Sequence, residues 1–218
     1  PDMTVIVNGD DALSSYLAME SHNPYKTYGI TEQVFESHSE HEIREGRFCK
    51  KCGARLEYEF YHYSQIGKYD CPNCDFTRPP IDFEASAIDM TDGLQFDVEG
   101  RHIAANYRGF YNIYNILAAY SAARTAGMKL ENFDQVLQSF HPQNGRMEHF
   151  EINGTEVLLN LAKNPAGFNQ NISAVMEDEK EKDIIIVIND NAQDGTDISW
   201  LWDVDFDRFS DPSIRSVT

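Results

Sequence analysis

Cys49-Lys50-Lys51-Cys52-Gly53 and Cys71-Pro72-Asn73-Cys74 hold the four cysteines of the chain as two Cys-x-x-Cys pairs separated by eighteen residues. Two pairs at that spacing form the ligand set of a structural zinc site, in which each pair turns a tight knuckle and gives two thiolates to one tetrahedron. Gly53 relieves the backbone where the first knuckle turns, while Lys50, Lys51 and the knuckle amides favour the thiolate charge. Sulfur fills all four positions, so the zinc expected at Cys49, Cys52, Cys71 and Cys74 leaves no place for water or substrate and folds the segment rather than catalyses. A redox pair and coincidental free thiols are the competing readings. All four thiols fall within 26 residues, unlike a disulfide framework spread through a secreted domain, which points to a reducing compartment.

The elements that must position these thiols are legible around them. From Gly46 to Pro80 the sequence carries the cysteines together with Tyr58, Phe60, Tyr61, Tyr63 and Tyr69, and it ends at Arg78-Pro79-Pro80, which reads as an inserted ribbon. Ahead of it, the β-branched run Met3–Asn8 closed by Gly9-Asp10-Asp11 predicts a buried strand and a turn. After it come strand-like segments at Phe83–Ile88, Leu94–Val98 and His102–Ala105. Ile113, Ile116, Leu117 and Tyr120 then recur at three- and four-residue spacing and predict a helix over Gly109–Gly127. A short helix is expected over Phe133–Ser139, and a hairpin of Met147–Ile152 and Thr155–Asn160 turning at Asn153-Gly154. Helix Pro165–Met176 and strand Asp183–Ile188 complete a β-α-β alternation that implies a parallel sheet, with a domain boundary near Gly145.

Bulk composition excludes some function classes. Lys plus Arg number 18 against 36 Asp plus Glu, a net charge of −18, so the summed field repels phosphate backbones. Within the ribbon, Arg47, Lys50, Lys51, Arg55, Lys68 and Arg78 only slightly outweigh Glu57, Glu59, Asp70 and Asp75, which argues against a zinc-ribbon module that binds nucleic acid. The mixed run Glu177–Asp183 reads as a solvated helix end. No apolar run is long enough for a transmembrane segment and no secretory signal opens the chain, so a cytoplasmic setting is expected.

Three segments carry a family resemblance. Gly109-Phe110-Tyr111-Asn112-Ile113-Tyr114-Asn115-Ile116-Leu117-Ala118-Ala119 resembles the Gly-x-His-Asn-x-x-Asn-x-Leu-Ala-Ala signature of Mur ligases, ATP-dependent enzymes that build peptidoglycan peptides. Asn112 and Asn115 share one helical face, where their amides can bond an adenine edge or merely cap and solvate the helix. Gly145-Arg146-Met147-Glu148 resembles the family's Gly-Arg-x-Glu element, in which the Arg reaches ATP phosphates. Asn160-Leu161-Ala162-Lys163-Asn164-Pro165 resembles its Asp-x-Ala-His-Asn-Pro element, but Asn160 stands for the Asp and Lys163 for the His. That change weakens a ribose or magnesium role and offers a cation to phosphate instead. Val7-Asn8-Gly9-Asp10-Asp11 resembles the Asn-x-Asp-Asp segment late in the central domain.

The resemblance implies an α/β fold: residues 1–144 as the late part of a Mur ligase central ATPase domain with the zinc ribbon inserted at about 46–80, and residues 145–218 as the start of a Rossmann-like C-terminal domain. The four-cysteine insert and the acidic loop Asp194–Phe206 are similar to the branch of the family that works as ligase subunit of a glutamine amidotransferase. That branch uses ATP and Mg, takes ammonia from a GatD-like glutaminase partner, and amidates the α-carboxylate of D-glutamate in the lipid II stem peptide. It also lends an aspartate to the partner's Cys-His pair; Asp197 is favoured, with Asp194 next. No cysteine is left over as a glutaminase nucleophile. No Gly-x-x-Gly-Lys-[Ser/Thr] phosphate loop occurs either, so the resemblance implies that the loop lies upstream and that this partial chain alone does not hydrolyse ATP. Another Mur-family amino-acid or folate-type ligase is the alternative.

Overall fold

In the computed structural model, which describes residues 3–35, 46–106, 108–140, 145–190 and 196–218, the chain divides into two units, residues 1–141 and 142–218. The first is built on a five-stranded mixed sheet. Strand β1 (Val5–Asn8) leads through α1 (Ala12–Glu20) to β2 (Tyr25–Ile30), parallel to it. Asp11 starts α1 by accepting the Leu13 and Ser14 amides, two donors that a helix start leaves unpaired. The ribbon follows, with antiparallel β3 (Glu57–Tyr63) and β4 (Ile66–Asp70). The chain then returns to the sheet as β5 (Phe83–Asp89), parallel to β2, and adds β6 (Leu94–Val98) and β7 (Arg101–Ala105) as an antiparallel meander. The resulting order is β1-β2-β5-β6-β7, so the cysteine segment is an insertion between two adjacent strands.

Helix α2 (Tyr111–Thr125) covers this sheet. Ile113, Ile116, Leu117 and Tyr120 are buried against Ile30, Ala85, Phe96 and Ile103, and each large aliphatic side chain so buried contributes about 1.5–3 kcal/mol. Helix α3 (Phe133–Ser139) adds Leu137 at the edge of the same core. A second, smaller core lies under the ribbon: Leu56, Tyr69, Phe76 and the β-carbons of Cys49 and Cys71 pack on Ala12, Tyr16 and Met19 of α1. The sequence pattern missed α1 because its buried positions are Ala12, Ser15 and Ala18, while its large apolar residue Leu17 is 68% exposed.

The second unit opens with the antiparallel hairpin β8 (Glu148–Ile152) and β9 (Thr155–Leu159). Asn153 and Gly154 both have positive φ, as a two-residue primed turn requires. Helix α4 (Pro165–Met176) follows, then β10 (Lys182–Ile184), two 3-10 turns at Ser199–Asp203 and Phe206–Ser210, and β11 (Ile214–Val217). The parallel pair expected across α4 does not form as drawn from the sequence. Among the described residues β9 pairs only with β8, and the parallel partner of β10 is β11. The strand expected over Asp183–Ile188 also stops at Ile184, and Ile185 and Val187 are 77% and 87% exposed.

Candidate functional site

The four sulfurs meet at one point. Cys49 Sγ lies 3.6 Å from Cys74 Sγ, Cys52 Sγ lies 3.5 Å from Cys71 Sγ, and all four lie within 4.8 Å of one another. These separations exclude disulfides, whose sulfurs sit about 2.05 Å apart. They are close to the edge of about 3.8 Å that a tetrahedron with metal–sulfur bonds near 2.3 Å would have. Each knuckle is closed by backbone bonds: Cys49 N–H donates to Ala54 O (2.8 Å), Gly53 N–H to Cys49 O (2.9 Å) and Cys71 N–H to Phe76 O (2.9 Å). Gly53 has a φ of +76°, the conformation that makes glycine the fitting residue there.

Charge makes the same point as geometry. The Ala54 N–H and the Asn73 side chain draw the Cys52 thiol down to about 6. The Phe76 N–H pulls Cys74 the same way, yet desolvation and the neighbouring sulfurs push it up to about 12. Four thiols this close cannot all ionise without a cation among them, and the donor set therefore fits a divalent metal. Lys51 pairs with Asp75 at 3.2 Å, so its charge is shared between that carboxylate and the thiolates.

Beside the ribbon lies a buried polar cluster whose members the sequence motifs named, Asp10 and Tyr114 among them, without showing that they meet. Asp10, fully buried, receives Arg78 Nε on Oδ1 (2.5 Å) and both the Ile30 N–H (2.8 Å) and the Tyr114 hydroxyl (2.7 Å) on Oδ2. Arg78 also donates to Ile30 O at 3.0 Å. The Tyr114 hydroxyl is 2.6 Å from His62 Nδ1, and His62 Nε2 donates to Glu32 O at 2.9 Å. Burial raises the Asp10 carboxyl against the pull of Arg78, Ile30 and Tyr114. The available sign in the sequence was Gly29: a Cβ there would stand 2.7 Å from Asp10 Oδ1, so only glycine leaves room for the carboxylate against β2.

Asn112 and Asn115 are brought together on the outer side of the first turns of α2. Asn115 Nδ2 donates to Asn112 Oδ1 (3.0 Å), and Asn112 Nδ2 to Arg108 O (2.8 Å). In the second unit the two remaining resemblance elements interlock. Gly145 N–H donates to Glu148 Oε2 (2.9 Å), Met147 N–H to Asn160 Oδ1 (3.1 Å), and Leu161 N–H to Gly145 O (2.6 Å). Asn160 thus ties down the loop that carries Arg146, whose side chain is exposed. Lys163, also exposed, directly precedes Asn164, which caps α4 by accepting the Gly167 amide at 2.7 Å. Asp197 accepts the Ser199 amide at 2.9 Å, and the Ser199 hydroxyl and amide hold its carboxyl below the usual carboxylate range. Asp194 lies outside the described residues. Trp200 packs near Phe168, whereas Trp202 is 90% exposed.

With this geometry in hand, comparisons with known proteins converge. Residues 161–218 match the family described as MurT ligase C-terminal. The chain is similar to the MurT subunit of the glutamine-hydrolyzing lipid II isoglutaminyl synthase of Staphylococcus aureus (strain COL), at 35% identity over 98% of this chain and 48% of that subunit. It is also similar to the MurT subunit of Streptococcus pneumoniae (strain ATCC BAA-255 / R6), at 32% identity over 100% of this chain and 48% of that one. Among solved structures it is similar to a pseudomurein peptide ligase type C from Methanothermus fervidus, with a TM-score of 0.66 and 25% identity over 84% of this chain and 36% of that one. The chain spans about half the length of the curated relatives it matches. It has a Mur ligase fold with a mixed sheet, and along nearly its whole length its sequence is similar to MurT subunits.

Proposed function

We propose that this chain is part of the ATP-dependent ligase subunit of a lipid II isoglutaminyl synthase, converting the α-carboxylate of D-glutamate in the stem peptide to the amide. The observation that carries the reading is the similarity to MurT over 98% of the chain at 35% identity. A carboxylate is a poor electrophile. Its oxygen attacks the γ-phosphorus of ATP, ADP departs, and the acyl phosphate formed offers phosphate as leaving group when ammonia attacks the acyl carbon.

Each group of residues has a part in this reading. Cys49, Cys52, Cys71 and Cys74 hold one zinc ion in a closed structural site, supported by the tetrahedral spacing of their sulfurs. Asn112 and Asn115 present amides to the adenine edge, and Arg146 and Lys163 bring positive charge to the phosphates. Magnesium, bound with ATP, neutralises phosphate charge during transfer. Residues 1–144 serve as the late central domain and residues 145–218 as the C-terminal domain. A GatD-like glutaminase supplies the ammonia, and Asp197 or Asp194 orients the catalytic histidine of that partner; the exposed Trp202 is an anchor for the interface. No helix among the described residues is long and apolar enough to cross a membrane. Action on lipid II at the inner membrane face is part of the proposal.

The test is the full-length protein with its glutaminase partner, magnesium-ATP, glutamine and lipid II, analysed by mass spectrometry of the stem peptide. Glutamine-dependent amidation is expected, lost when either subunit is left out. Addition of an amino acid instead of ammonia would establish a peptide ligase, and salt-sensitive binding of RNA or DNA without either reaction would establish a nucleic-acid module.

A further inference from the structure

The ribbon reaches past its own core. His62 at the end of β3 and Arg78 just beyond the second knuckle are both ribbon residues, and both close on groups that position α2. Arg78 is held through its amide to Tyr69 O at 3.0 Å, four residues after Cys74, so its place follows from the second knuckle. From there it grips Asp10, and Asp10 and His62 grip the Tyr114 hydroxyl from two sides. At the start of α2 Phe110 makes no side-chain cap, and the local bonds are those of the turn itself, from the Asn112 and Ile113 amides to Gly109 O and Phe110 O and from Asn112 Nδ2 to Arg108 O. Rings from the ribbon add packing there. His62 lies 5.3 Å from the Phe110 ring, and Tyr63 lies 6.3 Å from Phe110 and 5.8 Å from Tyr114, in edge or tilted contacts.

We infer that Tyr114 is a positioning residue, through which the metal-held ribbon fixes the first turns of α2 and with them the Asn112–Asn115 edge. Tyr114 stands between the two asparagines in sequence, one residue before Asn115 and two after Asn112, so a shift of its hydroxyl anchor moves both amides. The ribbon therefore acts on nucleotide binding from a distance, as a splint, with no coordination site of its own facing the nucleotide. The inference rests on the reading that this edge faces adenine, but its structural half stands apart from that reading.

The experiment uses the full-length protein and two readouts. Hydrogen exchange of peptides covering residues 108–120 reports the anchoring of α2, with β5–β7 as internal reference. Calorimetric titration with a non-hydrolysable ATP analogue reports the edge. Tyr114→Phe, which removes the hydroxyl with its bonds to Asp10 and His62 and leaves the cysteines untouched, is expected to keep its metal, to exchange faster at the start of α2 and to bind the analogue about tenfold more weakly. Arg78→Met, which also strands the buried Asp10 carboxylate, is expected to speed exchange there further, and Arg78→Lys to fall between it and the parent. Chelation of the metal should speed exchange in α2 as well as in the ribbon. Asn115→Ala should weaken binding without changing exchange. Unchanged exchange at residues 108–120 in Tyr114→Phe and after chelation overturns the inference. If the parent binds no nucleotide while exchange responds as expected, the splint stands and the adenine reading falls.

Discussion

Replacing Asp10 by Asn keeps the size of the side chain and removes its charge. The carboxylate accepts three hydrogen bonds, from Arg78 on one oxygen and from Ile30 and Tyr114 on the other. The single oxygen of an amide can serve the second pair, but its NH2 group then faces Arg78 Nε across 2.5 Å, donor against donor. Arg78, whose side chain is 9% exposed, is left as an uncompensated cation in a site walled off from water. Breaking a buried pair in this way costs about 3–5 kcal/mol. For a unit of this size the melting temperature should fall by roughly 10–20 °C. Thermal unfolding followed by circular dichroism measures it. Adding Arg78→Met to Asp10→Asn removes the stranded charge, so the double variant should cost less than the sum of the two singles by about 1–3 kcal/mol. A loss below about 1 kcal/mol for Asp10→Asn, or strict additivity of the pair, would refute the reasoning.

Two further outcomes concern the same cluster and a separate ion pair. Gly29→Ala should destabilise the first unit by about 1–3 kcal/mol in denaturant titrations, since the new Cβ meets a carboxylate fixed by three bonds rather than a mobile chain end. Glu99→Gln should cost about 0.5 kcal/mol near neutral pH and nothing in acid. Arg124 holds the Glu99 carboxyl below its usual range, so its contribution is present above the unfolded pKa and is lost as pH falls through the lowered one; stability measured against pH checks the sign.

What the sequence disclosed was what lies close together along the chain. The cysteine knuckles, the Asn153-Gly154 turn and the apolar stripe of α2 are each written within a few residues, and the structure builds each of them. Helix α1 was hidden because it is short, its fully buried positions are the small residues Ala12, Ser15 and Ala18, and its Leu17 turns outward, which blurs the apolar stripe that Ala12, Tyr16 and Met19 present to the ribbon. The apolar run after Asp183 misled for a different reason: alternation of Ile and Val gives strand propensity, whereas ladder formation depends on a partner, and beyond the register of Lys182–Ile184 with β11 the described residues add the bond from the Ile186 N–H to Thr218 O. The Asp10 cluster was out of reach, since its partners lie 68 and 104 residues away and only tertiary folding brings them to the carboxylate. Asn160 was read as standing for an aspartate with a ribose or magnesium role; its side chain is a backbone tie for the loop that carries Arg146.

The most direct measurement is native mass spectrometry of the freshly purified chain. One zinc ion per folded chain is predicted, displaced when Cys49 and Cys71 are both replaced by Ser, with loss of the ribbon core around Phe76 and Tyr69. A folded chain whose mass is that of the bare polypeptide, with four freely titrating thiols, would contradict it.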